Sequence, residues 1–567
     1  MRPAHTVAML NRTVELVSLD VFGVALEPVV LRHRDIHHLV ASSLAATHPK
    51  LRPTYVELRL EAERRVRRTA GEAGRGEIAV SEIADHLAFL LDRRMPLTER
   101  DRTARGAMQL ELGFERLAWR PNPWALRLHR RARERGMGVA FVADSALPRD
   151  LVSKMLAQAG FDHDFLLMSS QEGTTKASGR LYHTLIQRTG VWPESILHIG
   201  PDDDIDGQRA TAAGLRAHVV PRPRRHEDPA LGPDVAGRSG VDSFGLALVA
   251  ERLDRCRGAM EPDDLGYYAG GPLAAGLVAL AGSMLARNEV DRVVLCGAAG
   301  PCLHRAATLL AADGDQRMHP LTIDDDDRAS AARFDELVER HGIGHDERLL
   351  AVDLGWRDPS HERLRALVAG VGRSNPVRGA YLGLPGEPAD ETDDVTVLLP
   401  GPIPTPGGDP GVLESLLPSP HDRRGHRPPA GGSYDAAREG IASGVEAFAR
   451  DFGPWLHLDR SGTTPALVGP ALRVASRPTY DEAALLGQYP SAVGAGPEGR
   501  TIPLAVLPPL ATSLRNPLLV GEVHPPAIWA EGYEALVGGV PEGGPARLAR
   551  RLIARRRRNG RRHPDSA

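Results

Sequence analysis

Lysine is nearly missing from this 567-residue chain: Lys50, Lys154 and Lys176 are three lysines among 70 Lys+Arg, so 67 basic residues are arginine. The bias points to a GC-rich coding preference. Arginine serves on a solvated surface but not where a compact ammonium is needed, so each surviving lysine draws attention. Cysteine is as scarce. Cys256, Cys296 and Cys302 include no CxxC pair, which argues against a disulfide framework or a cysteine-ligated zinc site and suits a reducing compartment. An excess of one charge sign is missing too: 70 basic against 73 acidic residues leave a formal charge of -3. That speaks against a globally basic nucleic-acid binder and against a strongly acidic solvating protein. The longest apolar run, Gly270 to Ala286, is rich in Gly and Ala and falls short of the roughly 20 residues that span a bilayer. It reads as a buried helix of a soluble protein. The basic start and compact apolar core of a signal peptide are lacking, so the expected location is the cytoplasm.

What is present is 42% hydrophobic and 25% charged sequence, enough for two or three domains. The fold class read from it is α/β. Short apolar runs at Val14 to Leu19, Met137 to Val142, Asp164 to Met168, Ile196 to Ile199 and Ala217 to Val220 alternate with helical patterns, which predicts a parallel sheet within residues 1–221. An Arg- and Glu-rich helical stretch between the first two runs predicts an inserted helical lobe at about 27–130. Residues 222–263 read as a linker with a short helix, Phe244 to Arg255. A second α/β domain is expected over 264–545, with strands at Arg292 to Cys296, Leu349 to Asp353, Gly379 to Leu384 and Val395 to Leu399. Within it a Pro- and Gly-rich loop excursion covers 400–432. Residues 546–567 form an Arg-rich tail, read as a solvated segment able to touch an anionic surface.

Asp20 follows the first strand directly, and strand ends of open α/β sheets are where ligands bind. A carboxylate fixed there can attack phosphorus or an alkyl carbon, given a cation to hold it and the substrate in line. Lys176, in SSQEGTTKASGRLYHTL, is the candidate cation. The next strand opens into PDDDIDG, which places Asp202 and Asp206 at a further strand end, where hard carboxylates near a phosphate suit Mg²⁺.

This order of strand-Asp, strand-turn, Lys and strand-acid cluster resembles the haloacid dehalogenase-like (HAD) superfamily over Val14 to about Val220. The resemblance implies a Rossmannoid domain with parallel sheet and helical cap, Asp20 and Lys176 as catalytic residues, Phe22 and Asp144 against the substrate, and Asp20, Asp202 and Asp206 around Mg²⁺. More narrowly, RLEAERRVRR, ELGFERLAWRPNP and FVADSALPRDLVSKMLAQAGF, with DLGYYAGGPL, DRVVLCGAAG, LLAVDLGWRDPS, RPTYDEAALLG and WAEGY in the second half, resemble HAD-type proteins found with glycosyltransferases in bacterial surface-polysaccharide biosynthesis. That implies a phosphorylated sugar or similar intermediate as substrate, a glycosyltransferase as partner, and a place in the cytoplasm or at the inner membrane face.

The departures are as specific as the matches. The general acid that most HAD phosphatases carry two residues after the nucleophile is Phe22 here. The expected phosphate-binding hydroxyls are Val24 and Ala143, and the Gly-Asp pair of the acid motif is Gly200-Pro201. In the second half an expected Arg-Asp pair is Ala298-Ala299. The sequence thus describes a phosphatase-type hydrolase with weak or lost activity, or a silent scaffold that binds a glycan-assembly partner. The aromatic in DVFG and the Lys176 to Tyr182 spacing also resemble the metal-free haloacid dehalogenases.

Overall fold

Five consecutive buried residues, Leu16–Asp20, make the first strand, the pattern of a strand covered on both faces of a parallel sheet. In the computed structural model the described residues are 10–11, 13–220, 228–232, 240–256, 259–310, 316–323, 327–355, 360–383, 394–399, 411–418, 433–458, 465–487, 490–495, 501–503 and 536. The chain divides into two units at Arg225/His226.

The strands of the first unit are Leu16–Asp20 (β1), Leu26–Pro28 (β2), Trp119–Pro121 (β3), Gly138–Ala143 (β4), Phe165–Met168 (β5), Ile196–Gly200 (β6) and Arg216–Val219 (β7). Five of them form one parallel sheet in the order β5-β4-β1-β6-β7. Leu16, Val142, Leu167 and Ile196 pack on one face against Leu181, Tyr182 and Leu185 of the helix Arg180–Thr189. β2 and β3 pair antiparallel, Leu26 opposite Pro121, and so make a two-stranded neck. Between them lie the helices Ile36–Leu44, Tyr55–Glu72, Val80–Leu90 and Leu97–Leu117, the inserted lobe.

The lobe ends earlier than the sequence pattern suggested. Asn122 caps the next helix, Pro123–Glu134, accepting from Trp124 N at 2.9 Å, and Pro123 stands at its first turn. That helix packs on β4, so it belongs to the sheet layer rather than the cap.

In the second unit Arg292–Cys296 (β8), Met318–Leu321 (β9), Leu349–Asp353 (β10), Val377–Tyr381 (β11) and Val395–Val397 (β12) form a parallel sheet in the order β12-β11-β10-β8-β9. β9 went unread, its four residues broken by His319 and Pro320. The expected linker helix is longer than its apolar stretch and is no linker. It runs Gly240–Cys256, is buried along most of its length, and stacks Phe244 on Trp455 with ring centroids 4.3 Å apart. Within the expected loop excursion the described residues hold a short helix, Gly411–Ser415, with Leu413, Leu416 and Leu417 buried near it. The rest of that excursion, the Arg-rich tail and the WAEGY segment lie outside the described residues.

Pro262–Ala286 is long and apolar enough to cross a membrane by length and composition, yet its most apolar window is 78% buried inside the protein. Its glycines explain how. A Cβ on Gly266 would stand 2.0 Å from Ile441 O, and one on Gly444 2.1 Å from Asp263 O, so this segment and the helix Ser433–Leu456 meet at backbone distance. Gly266→Ala should therefore lower stability by about 1–3 kcal/mol, the usual range for overpacking. Gly282→Ala, where the nearest heavy atom is 3.8 Å from the added Cβ, should be neutral or stabilising by up to about 1 kcal/mol. Urea unfolding of the two variants checks the contrast.

Candidate active site

β1 and β6 are neighbours where the strand order reverses, and in an open α/β sheet the crevice beyond the carboxyl ends of such strands is the ligand site. Asp20 closes β1 there. Leu19 pairs with Ile199, so Gly200 and the acidic turn after it emerge beside Asp20. Lys176 arrives from the loop beyond β5. Its Nζ donates to Asp20 Oδ1 at 2.5 Å and to Asp206 Oδ1 at 2.7 Å. The side chains of Asp20, Lys176 and Asp206 are 7%, 5% and 2% exposed, so they meet almost shielded from solvent.

Each member is held from behind. Asp144, at the end of β4, accepts Lys176 N at 2.8 Å and Ala177 N at 3.3 Å, which fixes the loop that carries the lysine. Burial raises its carboxyl pKa in spite of those bonds. Asp206 Oδ1 also lies 3.1 Å from His198 Nε2 and 3.2 Å from the Tyr182 hydroxyl, which donates to Ile205 O at 3.0 Å as well. Asp206 Oδ2 accepts Asp202 N at 3.1 Å. His198 Nδ1 is 2.9 Å from Ser18 Oγ. Gly200 is required: a Cβ there would lie 2.1 Å from Asp206 Cγ.

The charges follow from these contacts. Burial works against the Lys176 ammonium, but the Asp20 and Asp206 carboxylates outweigh it and hold its pKa above the ordinary lysine value. Burial also opposes the Asp206 carboxylate, and the His198 hydrogen bond and the Lys176 charge overcome it, so its pKa lies below the usual range. His198 is fully buried, which lowers its pKa and leaves it neutral. With Nε2 carrying the proton toward Asp206, Nδ1 accepts from Ser18, and the set is internally satisfied.

Of the residues expected from sequence, Asp20, Lys176 and Asp206 converge. Asp202 does not join them through its side chain, which caps the following turn by accepting Ile205 N at 2.9 Å. Asp144 serves the lysine loop through two backbone amides. Phe22 turns to Trp119 of β3, ring centroids 4.7 Å apart, and Val24 and Ala143 are both 1% exposed and apolar. For the divalent ion that the family resemblance implies, these residues make no ready site. Asp206 is taken by Lys176, His198, Tyr182 and a backbone amide, and among the described residues no three His, Cys, Asp or Glu side chains group as metal donors.

Sequence reading missed His198 and Ser18. They are polar residues in mid-strand, opposite each other in the β1–β6 register, and two such interruptions in adjacent apolar runs just before the acids are the signal that could have found them. It also missed a buried polar set in the cap. Arg59 makes a two-pronged ion pair with Glu111, at 2.8 and 2.7 Å. Glu115 binds His33 at 2.7 Å and accepts Trp119 Nε1 at 3.1 Å.

No family model matches the chain. Over 106 residues it is 35% identical to a phosphoserine phosphatase of Thermus thermophilus, a stretch that is 18% of this chain and 42% of that relative. The chain thus spans less than half the length of that curated relative. Strand order, the Asp-Lys-Asp set and this likeness agree. The N-terminal unit is similar to HAD-type phosphatases over this stretch. Solved HAD structures resemble it at lower levels. A 2-haloacid dehalogenase from Pseudomonas syringae aligns over 43% of this chain and 99% of its own, at 17% identity and TM-score 0.32. A HAD-family enzyme of Bacteroides thetaiotaomicron, solved with magnesium and inorganic phosphate, aligns over 36% of this chain and 93% of its own, at 12% identity and TM-score 0.24.

In the second unit β8 and β10 flank the reversal of strand order. Asp353 closes β10, accepting Ser360 Oγ at 2.6 Å and Leu354 N at 2.7 Å, and Gly297 takes the turn after β8 with φ of 72°. Residues 356–359, most of the GWRDPS loop after β10, lie outside the described residues.

The inserted lobe has a pH dependence of its own. His37 sits 3.6 Å from Glu111 Oε2, too far for a hydrogen bond, and burial pushes its pKa down to about 4 although Glu111 opposes this. Above pH 6.5 the residue is neutral in folded and unfolded chains. As pH falls from 6.5 toward 4 the unfolded chain takes up a proton that the folded chain refuses, so stability drops by up to about 3 kcal/mol. His37→Gln should remove that slope from a urea-unfolding series between pH 7 and pH 4.

Proposed function

We propose that the N-terminal unit is a slow HAD-type hydrolase that works through an aspartyl intermediate. The observation that carries the reading is the meeting of Asp20, Lys176 and Asp206 at the carboxyl end of β1 and β6. Asp20 attacks the phosphorus of a phosphate ester or anhydride, the bond from phosphorus to the leaving oxygen breaks, and Lys176 balances charge on the nucleophile and the transferred group. Water then attacks the aspartyl phosphate and releases Asp20 with inorganic phosphate. Asp206, held by His198, aims the lysine.

Phe22 sets the substrate range. A general acid typically contributes about 10² to 10⁴ in rate, and a phenyl ring supplies none, so the departing oxygen has to leave without a proton. The favoured substrates are acyl and aryl phosphates. The resemblance to polysaccharide-associated HAD proteins supports a phosphorylated sugar intermediate of surface-glycan assembly as the natural ligand, a glycosyltransferase as partner, and a cytoplasmic or inner-face setting. A second reading, a silent scaffold for that assembly, is favoured by one feature: positions 22, 24 and 143 are all apolar, and two of them are fully packed. The dehalogenase reading draws on the aromatic at position 22 and on Tyr182 beside Asp206.

The test is a hydrolysis assay on acetyl phosphate, 4-nitrophenyl phosphate and glucose 1-phosphate. The first two should turn over at least about 100-fold faster than the third, and Asp20→Asn should abolish all three. Phe22→Asp should narrow the gap. No turnover of any of them, with no binding of an aspartyl-phosphate mimic, leaves the scaffold reading; rapid release of halide from a 2-haloacid establishes the dehalogenase.

A further inference from the structure

The ammonium of Lys176 touches both of the carboxylates that a divalent ion would need at these strand ends. Its 2.5 and 2.7 Å contacts to Asp20 Oδ1 and Asp206 Oδ1 are direct, and all three groups are buried. Asp206 has little left to offer an ion. Oδ1 faces Lys176 Nζ, His198 Nε2 and the Tyr182 hydroxyl, and Oδ2 faces the Asp202 amide. The lock extends inward, since His198 is itself held by Ser18 across the β1–β6 pair. Turning Asp206 outward to bind a metal would therefore break one ion pair and up to three hydrogen bonds and leave a buried ammonium with half its compensation. The neighbouring acids do not replace it. Asp202 is engaged as a cap by Ile205 N, and Asp203 and Asp204 stand exposed on the turn.

We infer that Lys176 is the resident cation of this site, and that Asp20 and Asp206 hold it in place of the divalent ion for which HAD phosphatases use the same strand ends. The buried set then carries one positive and two negative charges. A singly charged or uncharged electrophile enters it more readily than a phosphate dianion, which gives a second physical reason, beside Phe22, for slow phosphatase chemistry. The inference concerns the occupancy of the site and stands apart from whether Asp20 turns over.

Manganese tests it directly. Purified full-length protein is titrated with Mn²⁺ and free ion is followed by electron paramagnetic resonance at pH 7.5. Wild type should show no saturable site at micromolar Mn²⁺ that depends on Asp20. Lys176→Met removes the ammonium and leaves two carboxylates facing each other, so Mn²⁺ affinity should rise at least tenfold, and the double variant Lys176→Met/Asp20→Asn should lose the gain. One Mn²⁺ bound to wild type at micromolar concentration, and lost in Asp20→Asn and in Asp206→Asn, would overturn the inference. Because Lys176→Met can fail to fold, Lys176→Gln serves as the second variant: it also removes the ammonium, so it should gain an Asp20-dependent Mn²⁺ site, and a folded Lys176→Gln protein as blind to Mn²⁺ as wild type counts against the proposal. Hydrolysis of acetyl phosphate in EDTA separates the two conclusions, since activity that needs added metal would sink this one and leave the hydrolase reading standing.

Discussion

Everything at the carboxyl end of the first sheet depends on one ammonium buried between two carboxylates. Lys176, Asp20 and Asp206 are far apart in sequence, and each would be expensive to bury alone. Together they are tolerable only if the geometry is held, because removing one partner of a buried pair costs about 3–5 kcal/mol. The surrounding sequence meets that demand. Asp144 fastens the lysine loop by two amides, Gly200 leaves room for the Asp206 side chain, and His198 with Ser18 fills the space beneath it with a neutral donor rather than another charge. In a chain that uses arginine almost everywhere else, a lysine survives where a compact head must fit between two oxygens 2.5 and 2.7 Å away.

The cap repeats this economy with different groups. Arg59 and Glu111 are buried as a two-pronged pair, and Glu115 joins His33 to Trp119, whose ring then meets Phe22 just past the nucleophile. The aromatic contact explains why position 22 is comfortable as phenylalanine. An aspartate there would lose the Trp119 contact, so the missing acid and the packed neck are one structural choice.

How much of this could be read from the sequence follows from the range over which each signal acts. The strands ending at Asp20, Asp353 and near Asp206 were legible because a parallel strand buried on both faces leaves a continuous apolar run with a polar stop. The identity of Lys176 was legible from scarcity. His198 and Ser18 were not, since each alone looks like a lapse in an apolar strand and only the register between β1 and β6 makes them a pair. The helix Gly240–Cys256 was misjudged because the chain around it is rich in Pro, Gly and charge, and burial on several sides leaves no clean amphipathic period. The role of Asp202 was misjudged for a different reason. An acidic run before a helical turn supplies both caps and site residues, and spacing does not tell which acid turns inward.

The charges at the site are therefore poor witnesses to activity. Once the ammonium is buried, Asp20 and Asp206 are both needed to keep it there, and selection for a folded unit would retain all three whether or not the nucleophile ever attacks. The informative positions are those whose polar form would have no structural task. At 24 and 143 a hydroxyl would have served phosphate, and valine and alanine pack there with 1% exposure; at 22 an acid would have served the leaving group, and a ring packs on Trp119. On the proposed function, apolar residues at these positions leave little grip on a phosphate dianion and no proton for its alcohol. What stands there is a carboxylate at a strand end with an ammonium bound beside it. That residue of chemistry is enough for an electrophile that brings its own good leaving group and little charge, and it is on such substrates that a working Asp20 and a scaffold Asp20 part company.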